Sequence, residues 1–421
     1  MSAGGVVARN LRHTLFTWTA QDGLDPIEIV SAERTHFTDA RGRRILDLAS
    51  LVFNASAAIH HPAIAEAIAR QAKSLPAAAP SMATEIRGRY GEALAEVTPA
   101  GLDRFLFTLG GADANEHAIK IARLVTGRPK IVTRHRSYHG ATLGALSATG
   151  DPRRLPFEPT LPGVVRVLDP YCHRCPFGWT PDVCSRPCID HVEQAIRDEG
   201  PETIGAVLVE PVVGTNGGFW GPPEYLPRLR EICDRHGILL IFDEVLTGFG
   251  RTGRWFAAER FGVVPDMITM GKGITSGHAP LGAVAVGERI ARHFGAHPLV
   301  TGLTHAAHPV SLAAGLATLR VIQEEGLVER ADRLDEVLAR KLAEMAARHP
   351  TAIEDVRSLG LYGVIEFRSE EPVKKLARAA LDRGIHVVSR WNYLFVAPPL
   401  CIDEADLVHG LEVVGSLIPI E

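Results

Sequence analysis

Two residues in the middle of the chain have the type and placement for covalent chemistry, Asp243 and Lys272. The apolar run Ile238 to Phe242 stops abruptly at Asp243 and Glu244, the pattern of a strand buried on both faces with acids at its carboxyl end. A second short run, Met267 to Met270, leads to Lys272 between Gly271 and Gly273, and a third follows at Gly282 to Val286. A glycine-flanked lysine can form an imine with an aldehyde cofactor. An acid at a neighbouring strand end can keep a pyridine nitrogen protonated, so that the ring accepts electrons. Taken alone, each residue has a plainer reading, an exposed loop lysine and a helix-capping acid. Their joint placement at the ends of buried runs favours the chemistry. Gly248–Gly253 also fits a dinucleotide fingerprint, with Asp266 downstream. That fingerprint needs its first glycine directly at the strand end. Here Asp243 to Thr247 intervene, with two acids where a pyrophosphate should meet free N–H groups.

Other stretches supply what such a cofactor needs. Arg104–Thr108 predicts a strand, followed by Leu109-Gly110-Gly111-Ala112-Asp113-Ala114-Asn115-Glu116 and a helix through Arg123. Paired glycines at a helix start present free N–H groups at the positive end of the dipole, which suits a phosphate. A short strand over 130–133 precedes Arg136-Ser137-Tyr138-His139-Gly140, and Ile204–Val209 predicts a buried strand ending at Glu210. Four of the six cysteines crowd into Cys172-x-x-Cys175 and Cys184-x-x-x-Cys188. That spacing can hold a structural zinc, or it can be a set of buried thiols tying an irregular proline-rich excursion.

Asp243-Glu244-Val245, the Gly248–Gly253 turn and Gly271-Lys272-Gly273 resemble the signature of class III aminotransferases, which use pyridoxal 5′-phosphate. Within that family the chain is most similar to the branch acting on ω-amino acids, including taurine aminotransferases. The resemblance runs from His13-Thr14-Leu15-Phe16 to Ala397-Pro398-Pro399-Leu400. It implies fold type I of the pyridoxal-phosphate enzymes, an α/β fold. A mostly parallel seven-stranded sheet should form a large domain over 81–318. Residues 1–80 and 319–421 should combine into a smaller α+β domain.

The same resemblance assigns roles. Lys272 holds the cofactor and moves the proton, and Asp243 stabilises the pyridinium. Gly110, Gly111 and Ala112 receive the phosphate, Tyr138 stacks on one face of the ring and Val245 meets the other, and His139 and Glu210 lie alongside. Thr304 reaches the neighbour's phosphate across a homodimer interface. Trp18, Phe53, Glu210 and Arg390 are the substrate-side candidates. The implied reaction carries an amino group from an ω-amino acid or primary amine, taurine- or β-alanine-like, to pyruvate or 2-oxoglutarate by a ping-pong route. An aminomutase, racemase or decarboxylase on the same lysine and acid is the alternative, as is a transaminase for a specialised biosynthetic amine. A cofactor-fold regulator without activity and a zinc-centred binding module fit less of the chain. Three places depart from the family: Gly110 lacks a hydroxyl that some relatives have, Ala58 and Ile59 stand where relatives usually carry Gly and His, and Arg390 lies closer to Pro398. The second departure predicts a reshaped substrate entrance.

These residues need elements to position them. Residues 27–48 predict a small antiparallel sheet, 62–74 an amphipathic helix beginning at Pro62, and 309–325 a long helix. Residues 356–368, 385–389 and 394–397 predict the strands of a second α+β region. The 421 residues suffice for a large core. A net charge of −4 gives no general attraction for nucleic acid, and no apolar run is long enough to span a membrane. The N-terminus lacks a signal-peptide core, so a cytoplasmic enzyme is expected.

Overall fold

The short apolar runs form one seven-stranded sheet in the computed structural model, which describes residues 5–419. Its spatial order is Arg104–Thr108, Gly282–Val286, Met267–Met270, Leu239–Asp243, Ile204–Val209, Lys130–Arg134 and Val164–Val167. Gly282–Val286 is antiparallel to both its neighbours, and the remaining pairs are parallel. The expected mostly parallel sheet is therefore present. Four of its strands are buried at every residue, which is why they read as continuous apolar runs without alternation. Asp243 pairs with Thr269 across two of them, so Asp243 and the residues just past Met270 share one edge of the sheet.

The helix after the first strand spans Gly111–Thr126, three residues beyond the expected end at Arg123. It stops where Gly127 takes φ 69°, a left-handed position that glycine adopts without a Cβ clash. The helices Pro62–Ser74 and Pro309–Glu324 lie where the sequence places them, each opened by a proline, and pack against one another.

Two four-stranded sheets flank this core. The first joins Ile29–Glu33, His36–Asp39 and Arg44–Asp47 to the distant Ile385–His386, with Ile385 opposite Leu46. The second contains Ile353–Ser358, Gly363–Phe367, Tyr393–Val396 and Val388–Arg390. The strand expected over 356–368 is thus a hairpin, turned at Gly360 with φ 59°. The one expected over 385–389 serves two sheets, breaking at Val387. The amphipathic helix Leu327–Arg348, unassigned from sequence, buries Ala331, Leu334, Leu338, Leu342 and Met345 on one face.

The Gly248–Gly253 turn is structural. Arg251 is buried, and its guanidinium donates to Leu361 O (2.9 Å), Pro398 O (2.6 Å) and Ser50 Oγ (3.1 Å). Burial pushes its pKa down to about 10, since only neutral oxygens accept from it. Glu244 accepts from the N–H groups of Ala257 and Ala258 and from Thr247 Oγ1, each at 2.7 Å. The stretch is therefore filled by its own acid, which answers the dinucleotide reading. Among the described residues no helix is long and apolar enough to cross a membrane.

Candidate active site

Asp243 ends its strand 4% exposed and fully engaged. Its Oδ2 accepts from Asn115 Nδ2 at 2.7 Å and from His139 Nδ1 at 2.8 Å, and its Oδ1 from the Val245 N–H at 3.0 Å. Asn115 also donates to the His139 carbonyl (2.8 Å) and accepts from Thr269 Oγ1 (2.7 Å). Three elements thereby fix one carboxylate: the helix Gly111–Thr126, the loop after Lys130–Arg134, and the sheet itself. Such a donor set fixes the carboxylate in place at the end of its strand.

Lys272 opens a single 3₁₀ turn, Lys272–Ile274, past the strand Met267–Met270. Its φ of 43° is a left-handed conformation that costs a non-glycine residue energy and persists only when the surroundings over-determine it. The surroundings here are specific. Ser276 Oγ accepts from the N–H groups of Ala57 (2.9 Å) and Ala58 (3.1 Å) and donates to Ala58 O (2.8 Å). Ala58 is therefore a buried brace beneath the lysine turn, and Ile59 packs on the cluster of Phe37, Ile45 and Leu381. The altered stretch 55–61 contributes this support. Burial lowers the pKa of Lys272 below the ordinary lysine value, against the opposing pull of Asp243 and Glu210, and Arg153 adds to the lowering. An amine of that kind is more often unprotonated near neutral pH than a solvated lysine, and so more available as a nucleophile and proton acceptor.

Close packing keeps two positions free of any side chain. A methyl group added at Gly111 would lie 2.7 Å from both Val245 methyls, and one at Gly140 would lie 2.5 Å from Ala112 Cβ. Gly111 begins the helix Gly111–Thr126, with Gly110 extended at φ 179°, so the N–H groups of its first turn face outward without intrahelical partners. Glu210 buttresses the opposite wall. Its carboxylate accepts from the Tyr138 N–H (3.0 Å) and the Gly214 N–H (2.8 Å), while its carbonyl accepts from the buried Arg134. Among the described residues no arginine side chain bonds to the Glu210 carboxylate, which holds the Tyr138 loop instead.

The mouth is where the structure adds residues that sequence reasoning missed. The Arg153 guanidinium lies over Tyr138, 3.6 Å from the ring centroid, and 5.6 Å from the centroid of the Trp18 ring. Trp18 meets Tyr138 edge-on at 6.1 Å and is 67% exposed, so the N-terminal arm forms the rim. Asp151, 1% exposed, holds Arg153 through its Nε and Nη2 and also accepts from Arg390 Nη2 at 3.1 Å. Arg390 reaches this point because a two-residue hairpin, Trp391-Asn392, pairs it with Tyr393. That tight turn accounts for its short spacing to Pro398. The structure thus brings together Trp18, Tyr138, Arg153 and Arg390. The cue for Asp151 and Arg153 was an acid opening a 3₁₀ turn at Pro152, where Asp151 accepts from the Arg153 N–H (2.8 Å).

Other candidates lie apart. Phe53 is buried edge-on against Tyr362 and Phe395, within an aromatic cluster. Thr304 is exposed on the loop ahead of the helix Pro309–Glu324. The four clustered cysteines are free, from the exposed Cys172 to the buried Cys188. Among the described residues, the three-ligand convergence within 4.8 Å is formed instead by His173, Asp355 and Glu366. Arg357 pairs with both of those acids and Arg174 lies 2.9 Å from Glu366, so cations already neutralise that trio.

A buried acid fixed by three donors, a buried lysine of lowered pKa one strand away, glycines that admit no side chain beside Val245 and Ala112, and open helix N–H groups fit a phosphorylated pyridine aldehyde. Comparison with known proteins agrees. The model of the family "Aminotransferase class-III" matches residues 19–418. The chain is 36% identical to an omega-aminotransferase of Caulobacter vibrioides over 93% of both chains. It is 32% identical to the taurine–pyruvate aminotransferase of Bilophila wadsworthia, covering 96% of this chain and 94% of that one. The solved taurine:2-oxoglutarate aminotransferase of Bifidobacterium kashiwanohense, in complex with PLP and glutamate, superposes with a TM-score of 0.93 at 33% identity, over 97% of this chain and 96% of that one. The cofactor of this fold is pyridoxal 5′-phosphate, and the chain belongs to the class III aminotransferases.

Proposed function

We propose that this aminotransferase takes an amino group from an ω-amino acid or primary amine with a distal acid group, and passes it to a 2-oxo acid such as pyruvate or 2-oxoglutarate. One observation carries this reading. Two guanidiniums, Arg153 and Arg390, share the single carboxylate of Asp151 at the mouth, leaving a surplus positive charge over Tyr138. Both substrate classes bring an acid group that this charge can receive.

Bound pyridoxal phosphate supplies an electron sink for the substrate carbon that bears the nitrogen. The chain's own groups do the rest. Lys272 is the covalent anchor, and its lowered pKa leaves its Nζ able to take and return the proton of that carbon. Asp243, fixed by Asn115, His139 and Val245, is held in place to meet a pyridinium without reorganising. Tyr138 and Val245 fix the ring plane, and the first turn of Gly111–Thr126 receives the phosphate through the N–H groups of Gly111 and Ala112. Thr304 serves the neighbouring subunit of a homodimer, which its exposure on a loop permits. Six cysteines that form no disulfide suit a cytoplasmic setting.

The test is a panel of donors (taurine, β-alanine, 4-aminobutyrate, propylamine) against pyruvate and 2-oxoglutarate. The reading requires acid-bearing donors to exceed propylamine in kcat/KM. Equal or better use of the neutral amine would remove it.

A further inference from the structure

Asp151 makes more polar contacts at the mouth than any substrate-side candidate read from the sequence. Its Oδ1 accepts from the Arg153 N–H at 2.8 Å and from Arg153 Nε at 3.1 Å. Its Oδ2 accepts from Arg153 Nε at 2.8 Å, from Arg153 Nη2, and from Arg390 Nη2 at 3.1 Å. The acid is 1% exposed and its own N–H donates to Ser137 O (3.3 Å), one residue before Tyr138. A second tie fixes the Arg153 fork, since Nη2 also donates to Thr215 Oγ1 at 3.2 Å.

The hold on the two arginines is unequal. Arg153 is gripped by both oxygens and pressed on the Tyr138 ring, whereas Arg390 gives Asp151 a single bond and lies over Trp391 at 4.3 Å. Donors are left over on each side. Among the described residues Nη1 of Arg153 has no hydrogen-bond partner, and neither does the buried Nε of Arg390. With one acid between two guanidiniums, the group carries net positive charge, and each arginine feels the other's repulsion.

We infer that Asp151 is a positioning residue for acid-group recognition: it locks the Arg153 guanidinium over the Tyr138 ring with Nη1 free, and keeps Arg390 beside it by one exchangeable bond. The ligand class is a small carboxylate or sulfonate. Charge alone does not give this arrangement. Without the acid, two guanidiniums a few residues' width apart repel, and the flexible Arg153 side chain leaves the ring face. The inference rests on the reading that substrates present an acid group at this mouth.

The experiment measures competitive inhibition by propionate and ethanesulfonate in the holoenzyme, using any amine that the wild type turns over as the reporter. In Asp151→Asn both inhibition constants are expected to rise at least tenfold, because the amide cannot hold the fork by charge. An unchanged constant would overturn the proposal, and so would a fall, which would make Asp151 a mere restraint on two otherwise competent arginines. Where that variant does not fold, Arg153→Lys keeps the charge but not the fork, and the same tenfold rise is expected. Retained inhibition in Arg153→Lys would equally overturn it. If the wild type itself is not inhibited by either anion, the acid-group reading fails and takes this proposal with it. Inhibition of the wild type that persists in the variants sinks the proposal alone.

Discussion

The two ends of the candidate site are built on opposite principles. At the floor, Asp243 is buried and accepts from Asn115, His139 and Val245, on elements anchored in the seven-stranded sheet. At the mouth, Arg153 and Arg390 keep spare donors, share one acid, and face a rim formed by the exposed Trp18. A satisfied buried network fixes a charge that must not move during the chemistry. An over-charged, half-open cluster waits for a ligand to complete it. On the proposed function, the floor sets the reaction type and the mouth the choice of substrate.

That division can be broken in order of effect. Lys272→Ala should remove turnover with every substrate, by on the order of 10⁵-fold or more, since no other group can replace its amine. Steady-state assays across the donor panel check this, and residual turnover with any one donor would detach the lysine from the chemistry. Asp243→Asn should lower kcat by about 10²–10³-fold, alike for acid-bearing and neutral amines. A loss confined to acid-bearing amines would move Asp243 from the floor's role to the mouth's.

The mouth should answer differently. Arg153→Ala should cost an acid-bearing donor about 10–100-fold in kcat/KM while a neutral amine loses far less. Arg390→Ala, which removes a guanidinium held by one bond, should weaken a 2-oxo acid by about tenfold and a neutral aldehyde acceptor little. Equal losses for both acceptors would take Arg390 out of recognition.

The smallest effect concerns stability. Burial pushes the Glu244 carboxyl from 4.5 up to about 7, against the N–H groups it accepts from. The folded state therefore keeps a proton that the unfolded state gives up. The associated stabilisation is fully present below the unfolded value and is lost as pH rises through about 7. In Glu244→Gln the fall in Tm between pH 5 and 7 should flatten by about 2–4 °C. An unaltered slope would mean that Glu244 stays ionised.

The floor was legible in the sequence because its parts lie where buried runs end. Asp243, Gly111 and Lys272 each follow a short apolar strand, and parallel topology gathers such ends on one edge. The mouth was not, because its contacts join residues without shared periodicity. Arg390 meets Asp151 across 239 positions of chain, and Asp151 sits in a proline-rich stretch that carries no strand or helix pattern. Asn115 lay inside a motif recognised for its glycines, while its contact with Asp243 depends on a partner in another strand. The packing of Ala58 on Ser276 and of Ile59 on Phe37 was hidden for a related reason, since each contact joins distant parts of the chain. The reading of 356–368 as one strand failed at Gly360, where the added Cβ of any other residue would strike Arg251 O at 2.5 Å.

The most direct test of the central claim loads the purified protein with pyridoxal phosphate, supplies one donor at a time without any acceptor, and measures pyridoxamine phosphate by chromatography. The account predicts its formation in proportion to enzyme, with the donor's aldehyde or ketone released, for at least one acid-bearing amine. Consumption of a donor with release of carbon dioxide or an isomer and no pyridoxamine phosphate would contradict it.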